Sequence, residues 1–267
     1  MIIEHVGRGG PMPLQGAAIT DTGKVRRNNE DTYGFFPDAS FYVVADGMGG
    51  HVGGGVASSV AVETMHASLQ ATQDQDLTPV FDVSGQTSLA CRRLLIALEE
   101  ANNKVLDLSQ QDRKLNGMGT TIAAILFEEA TRQASICHVG DSRVYRIRGT
   151  LIEQLTEDHS LVQQLVRTGN LGPEEAKTFP QRHILMQAVG VRPIIQPDLR
   201  IETPEPGDVF IVCSDGIHSV VTEEELVEVI RHNATDLQRG CETLVALANS
   251  RGGRDNATVI IIRYDER

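Results

Sequence analysis

Short apolar runs of strand length punctuate this 267-residue chain, and between them the period changes to that of helices. "LQGAAIT" (Leu14 to Thr20), "TYGFF" (Thr32 to Phe36) and "FYVVA" (Phe41 to Ala45) come first, and each predicts a strand. From Gly54, "GGVASSVAVETMHASLQ" places small and apolar residues at helical spacing. Polar residues and Pro79 fill 71–86 and predict a loop. In "TSLACRRLLIALEEANNKVLDLSQQ", Leu94, Leu95, Leu98, Ala101, Val105 and Leu108 recur every three or four residues, the mark of an amphipathic helix.

A meander follows. "GTTIAAILF", "QASICHVGD", "RVYRIRG" and "LIEQL" predict short strands separated by "EEATR", "GDS" and "GT", as in hairpins. "HSLVQQLVRTG" predicts a short helix, and 169–200 has several Gly and Pro with no clean period. "DVFIVCSD" predicts a buried strand, "EEELVEVIRHN" and "DLQRGCETLVALANS" two helices, and "ATVIIIRY" a closing strand. Helices come in pairs and strands in meanders, with no βαβα alternation. That order favours an antiparallel α+β layered fold over a doubly wound one. At roughly 100–200 residues per domain the chain holds one large domain or two small ones. With no internal repeat or low-complexity linker, the expectation is a short flexible arm over 1–13 and one domain over 14–267.

Composition narrows the function. The formal net charge is -12 and the sequence pI about 5.1. Binding to nucleic acid draws on Lys and Arg against phosphates, so this balance argues against it. Cys91, Cys137, Cys213 and Cys241 form no CxxC pair and sit in or beside apolar patterns, which predicts buried reduced thiols and a cytoplasmic setting. Glu4, His5 and glycines interrupt any signal-peptide core near the start. No apolar run approaches the ~20 residues of a membrane span.

The chemistry lies at the ends of the apolar runs. "FYVVAD" ends in Asp46, "ICHVGD" in Asp141 and "FIVCSD" in Asp215. Asp255 stands just before "ATVIII", and "NNED" (Asn28 to Asp31) just before "TYGFF". Any one of these is by itself a turn residue. Carboxylates gathered at one end of a packed sheet raise each other's pKa and lose hydration. Hard divalent cations with oxygen ligands would relieve both penalties. The glycines after Asp46 would let the backbone come close to an ion or a phosphate. Other chemistries lack their marks: no HExxH or paired histidine spacing, no GxxxxGK[ST], no completed GxGxxG, no GxSxG.

Taken together, "TDTGKVRRNNED", "VVADGMGGHVGG", "MGTT", "HVGDSRVYRI", "LTEDHSLVQ", "CSDGI" and "GGRDNATVIII" resemble the metal-dependent type 2C protein serine/threonine phosphatases, the compact bacterial members most of all. The motifs fall in family order from about Thr20 to Ile262. The resemblance implies a four-layer αββα sandwich, two antiparallel sheets face to face with a helix pair outside each. It implies two Mn²⁺ or Mg²⁺ ions, with a weaker third, in a cleft at one sheet end. Asp46 would bridge both metals, Asp215 and Asp255 would hold the first, and Glu30 and the Gly47 carbonyl the second. Asp31 would orient the bridging water, Asp141 with Asp215 would hold the third ion, Arg26 would grip the phosphate, and Asn256 would support Asp255 or a metal-bound water.

A hydroxide bridging the ions would then attack phosphorus in line, with no phosphoenzyme. Met48 stands where some relatives have a histidine proposed as general acid, and His51 is three residues on. The general acid is therefore left open. The segment from about 169 to 196 corresponds to the family's flap, expected to be mobile and to influence substrate choice. The expected activity is a monomeric cytoplasmic phosphoserine/phosphothreonine protein phosphatase. Its partners would be phosphorylated proteins, targets of a bacterial-type Ser/Thr kinase, with no nucleic acid and no membrane. A catalytically inactive phosphoprotein-binding module and a metal-dependent nuclease are the alternatives. Intact acids at every matched position argue against the first, and the acidic balance against the second.

Overall fold

The computed structural model describes residues 3–8, 13–49, 53–176, 179–181 and 183–265. In chain order the strands are β1 (Ile3–Arg8), β2 (Leu14–Asp21), β3 (Asp31–Phe36), β4 (Phe41–Met48), β5 (Val80–Phe81), β6 (Thr87–Ser88), β7 (Gly119–Thr120), β8 (Ile122–Glu128), β9 (Gln133–Val139), β10 (Arg143–Arg148), β11 (Leu151–Gln154), β12 (Asp198–Glu202), β13 (Val209–Cys213) and β14 (Ala257–Tyr264). The helices are α1 (Gly53–Ala71), α2 (Leu89–Gln111), α3 (Leu161–Arg167), α4 (Pro173–Ala176), α5 (Asp215–His218), α6 (Glu223–His232) and α7 (Leu237–Ser250). One sheet has the order β1-β2-β14-β13-β10-β11 and the other β12-β9-β8-β4-β3, with β7 beside the end of β4. The pairings are antiparallel throughout.

The longest apolar runs are strands buried on both faces. In β14, Ile260 and Ile262 point between the sheets, while Val259 and Ile261 meet α6 and α7. In β4, Tyr42 and Val44 point between the sheets, while Phe41, Val43 and Ala45 meet α1 and α2. Successive side chains leave opposite faces of a strand, so covering both faces removes the usual apolar/polar alternation. The result is the four-layer αββα sandwich that the sequence implies. Between the sheets, Tyr42, Phe127 and Phe210 pack edge to face, with ring centroids 6.1 and 5.4 Å apart.

The structure corrects several local readings. Residues 3–8, taken as part of a flexible arm, form the edge strand β1, paired from Ile3↔Thr20 to Arg8↔Gln15. The predicted loop at 71–86 contains β5, half of a small hairpin. Asp198 opens β12, which turns Leu199 and Ile201 inward. The 169–196 segment includes the single turn α4 and is pinned on its return. There the Met186 N–H donates to the His159 carbonyl (2.7 Å), and the Gly190 N–H to Asn102 Oδ1 (2.8 Å). The four cysteines are free and buried. Among the described residues, no helix is long and apolar enough to cross a membrane.

Candidate metal centre

Antiparallel register brings the strand-end acids to one end of the sandwich. Asp31, at the start of β3, lies directly opposite Asp46, near the end of β4. In the other sheet, Cys213 at the end of β13 pairs with Arg143 and with Val259, near the starts of β10 and β14. Asp215 lies two residues after β13, Asp141 two before β10 and Asp255 two before β14. These three therefore share one edge. The charges that act on Asp46 are, in order, those of Asp31, Asp215, Asp141 and Asp255.

Hydroxyls adjacent to these acids hold them in place. Asp31 is buried, and its Oδ2 accepts hydrogen bonds from Ser214 Oγ and Thr258 Oγ1, both 2.7 Å, which tie the two sheets together at the site. Its other oxygen, Oδ1, has no partner among the described residues, and neither has Asp215 Oδ1. The Asp46 carbonyl accepts from the Thr121 N–H and from Thr120 Oγ1, both 2.9 Å. Its own N–H donates to Thr121 Oγ1 at 3.0 Å, and Thr121 Oγ1 shares a 2.7 Å hydrogen bond with Ser142 Oγ. The sequence reading missed these supports. Ser142 and Ser214 carry a signal, a Ser beside an acid in "GDS" and "CSD", whereas Thr120 and Thr121 in "GTT" stand beside no acid.

Asn256 organises the loop that carries the remaining candidates. Its Oδ1 accepts from the Glu30 N–H (2.8 Å), and its Nδ2 donates to the Thr22 and Asn28 carbonyls (both 3.0 Å). Arg26 Nη2 donates to Asp255 Oδ2 at 2.7 Å, with the Arg26 side chain 52% exposed. That bond, then the charges of Asp255, Asp46 and Glu30, raises the Arg26 pKa against a smaller opposing effect of burial. Arg26 is thus a cation of the acid cluster, held by a carboxylate.

The glycines answer a tighter demand than access for an ion. A Cβ on Gly47 would stand 2.1 Å from the Gly54 carbonyl oxygen and 2.5 Å from that of Glu30. A Cβ on Gly216 would stand 1.9 Å from the Asn256 carbonyl oxygen. Asp-Gly here marks backbones packed against each other beside the acids. His51 lies outside the described residues.

Electrostatics shows what the cluster lacks. Burial first, then the charges of Asp215 and Asp255, push Asp31 up to about 7 despite its two hydroxyl donors. Burial and the neighbouring acids push Asp141 to about 7, raise Asp215, and hold Asp46 well above the usual carboxylate range. Among the described residues, no three of these acids each bring a carboxylate oxygen within 4.8 Å of one another. Buried carboxylates with unpartnered oxygens, an all-oxygen donor set and one half-exposed arginine fit hard divalent cations. They do not fit zinc held by histidine or cysteine.

Two histidine features escaped the sequence. His218 is partly buried, and its Nε2–H donates to the Asp141 carbonyl at 2.9 Å; desolvation, with the Arg143 charge, pushes its pKa down to about 3, so the ring is neutral. His138 and His159, 21 positions apart, meet Asp198 with ligand atoms within 4.8 Å. His159 Nδ1 accepts the Gly140 N–H at 3.3 Å, which puts its proton on Nε2, 3.2 Å from Asp198 Oδ2. That tautomer makes a hydrogen-bonded pair and leaves no lone pair for a metal.

The family profile "Protein phosphatase 2C" matches residues 24–243. The chain belongs to the protein phosphatase 2C family. It is 35% identical over 249 residues to the serine/threonine phosphatase stp of Listeria monocytogenes serotype 4b, across 92% of this chain and 94% of that one. The serine/threonine phosphatase PstP/Ppp of Mycobacterium tuberculosis superposes with a TM-score of 0.83 at 32% identity, over 95% of this chain and 99% of that one. The catalytic domain of PstP in complex with two manganese ions superposes with a TM-score of 0.79 at 31% identity, again over 95% and 99%.

Proposed function

We propose that this phosphatase hydrolyses phosphoserine and phosphothreonine in proteins, with two Mn²⁺ or Mg²⁺ ions held by the acid cluster. One observation carries the reading: Asp46 lies among Asp31, Asp215, Asp141 and Asp255, desolvated and mutually repelling, with two carboxylate oxygens unpartnered. Asp46 would bridge the ions, Asp215 and Asp255 would hold the first, and Glu30 and the Gly47 carbonyl the second. Asp141, with Asp215, would hold a weaker third. When bound, the ions supply a water acidified to near-neutral pKa and neutralise charge on the phosphoryl oxygens.

The chain's own residues do the rest. Asp31 is fixed through Oδ2 by Ser214 and Thr258, so Oδ1 can accept a proton from an attacking water and set its orientation. Arg26 exchanges its Asp255 partner for two phosphoryl oxygens, which its planar fork suits. Asn256 holds the loop of Arg26 and Glu30 against the sheet. Met48 cannot donate a proton to the leaving alkoxide, and the general acid is left unassigned. We place the activity in one catalytic domain over 14–267, monomeric and cytoplasmic, opposing a Ser/Thr kinase, with no nucleic-acid or membrane partner.

The deciding assay is hydrolysis of a phosphothreonine peptide with Mn²⁺ and with EDTA, beside Asp46→Asn. Turnover that requires the metal and falls by about 10²-fold or more in the variant is expected, the size of effect seen when one charge-stabilising group is lost. Folded, Mn²⁺-loaded protein without turnover would leave a phosphoprotein-binding module instead.

A further inference from the structure

A cavity of about 620 Å³ opens beside the acid cluster. Met48, two residues past Asp46, and Asp158 belong to its wall on that side. On the other side lie α3 and the return of the 169–196 segment. Its apolar lining includes Leu185, Met186, Val191 and Ile195, with Met186 40% and Val191 43% exposed. Apolar surface left open beside a reaction centre marks a place where a ligand chain can lie.

The charges of the groove decide which chain. Asp158 is taken by Arg143, in two hydrogen bonds of 2.8 Å, and Asp198 by His159. Among the described residues, the Glu157 carboxylate meets Gln163 Nε2 alone, at 3.4 Å. Arg167 feels the charge of Asp198, yet neither its guanidinium nor that of Arg192 has a hydrogen-bond or ion-pair partner among the described residues. Elsewhere Arg143, Arg146, Arg148, Arg200 and Arg251 are each locked to carboxylates. Other exposed arginines, such as Arg27 and Arg231, are also unengaged among the described residues, but Arg167 and Arg192 stand over an apolar floor.

We propose that this groove reads the substrate's sequence: it takes a segment flanking the phosphoresidue that pairs an acidic side chain with an apolar one. Arg167 and Arg192 hold the carboxylate, and Met186, Val191 and Ile195 cover the apolar neighbour. Guanidinium forks match carboxylates in geometry as well as charge. Both arginines are exposed, so salt screens the contribution. The proposal rests on the phosphatase reading, since only a substrate held at the acids brings its flanks here.

The test uses two phosphothreonine peptides, one flanked by Glu and Leu on each side, the other with Gln for Glu. Turnover in Mn²⁺ gives kcat and KM for both, and fluorescence anisotropy of the labelled, unphosphorylated versions gives affinity without catalysis. The unaltered protein is expected to favour the acidic peptide about three- to tenfold in KM, the size of two exposed ion pairs. In Arg167→Ala/Arg192→Ala that ratio falls to about one, and the corresponding double Lys variant keeps part of it. Each protein is its own reference through the neutral peptide, so impaired folding does not imitate the result. Equal handling of both peptides in both assays, or a preference that survives the double Ala variant, overturns the proposal. Turnover without preference sinks the groove alone. An acidic preference in anisotropy without turnover keeps the groove and sinks the phosphatase.

Discussion

Asn256 shows how one side chain positions several others. It occupies three backbone groups at once, on Glu30, Thr22 and Asn28, and its own N–H donates to Asp255 Oδ1 at 2.9 Å. Asn256→Ala leaves the Glu30 N–H and two carbonyls without partners and frees the loop that carries Arg26. Residues that orient metal ligands cost about 10–100-fold in metal affinity or activity when removed. The expected outcome is a weaker Mn²⁺ Kd in calorimetry and a matching loss of turnover, with folding retained. Unchanged Mn²⁺ affinity would reduce Asn256 to a loop tether. At this scale the acids were legible, because a carboxylate at the end of an apolar run stands out. Ser214 and Thr258 were not. A Ser before an acid is common in turns and a Thr is common in strands, and their partner, Asp31, lies 183 and 227 positions away.

Elements follow their patterns where burial is strong. Helix α2 starts where its period starts. The Ser88 hydroxyl accepts the Cys91 N–H at 3.1 Å and shares a 3.0 Å hydrogen bond with Ser135 on β9. Ser88→Ala removes both a helix cap and a link from helix to sheet. A loss of about 1–2 kcal/mol is expected, read as a lower urea midpoint at unchanged slope. The elements missed from sequence were of a different kind. Strand β12 shows only Leu199 and Ile201 inward over five residues, and β1 owes its place to pairing with β2. Edge strands such as these take their conformation from a neighbour, whether near in sequence, as β2 is to β1, or distant, as β9 is to β12, and that pairing leaves no mark on their own period.

The acids come from both sheets, so their mutual cost belongs to the assembled molecule. Asp31 and Asp141 have folded-state pKa values of about 7, above the ordinary carboxylate value. An acid with a raised folded pKa binds its proton more tightly when folded. Its contribution is therefore complete below about pH 4 and is lost as pH rises through about 7. Metal-free protein in EDTA should melt at progressively lower temperature between those limits. Mn²⁺ should reverse the loss, with a larger rise in Tm at pH 7.5 than at pH 5, because ligands must be deprotonated to bind it. A melting temperature in EDTA that climbs over the same interval would mean that the cluster is not desolvated as described.

The sequence by itself determined the period of most elements, the layered antiparallel class, and the presence of an acid at the end of each apolar run. These depend on residues within a few positions of one another, where side-chain alternation and turn chemistry act. Only the tertiary structure decided that the acids share one edge. Antiparallel register sets which strand ends coincide, and Asp31 faces Asp46 through pairing rather than spacing. It also decided that Arg26 rests on Asp255, that Asp-Gly serves backbone contact, and that Arg167 and Arg192 face the groove without an ion-pair partner among the described residues. Contacts of that kind join positions far apart in the chain, and only packing, which fixes distance and excludes water, brings their charges to bear on one another.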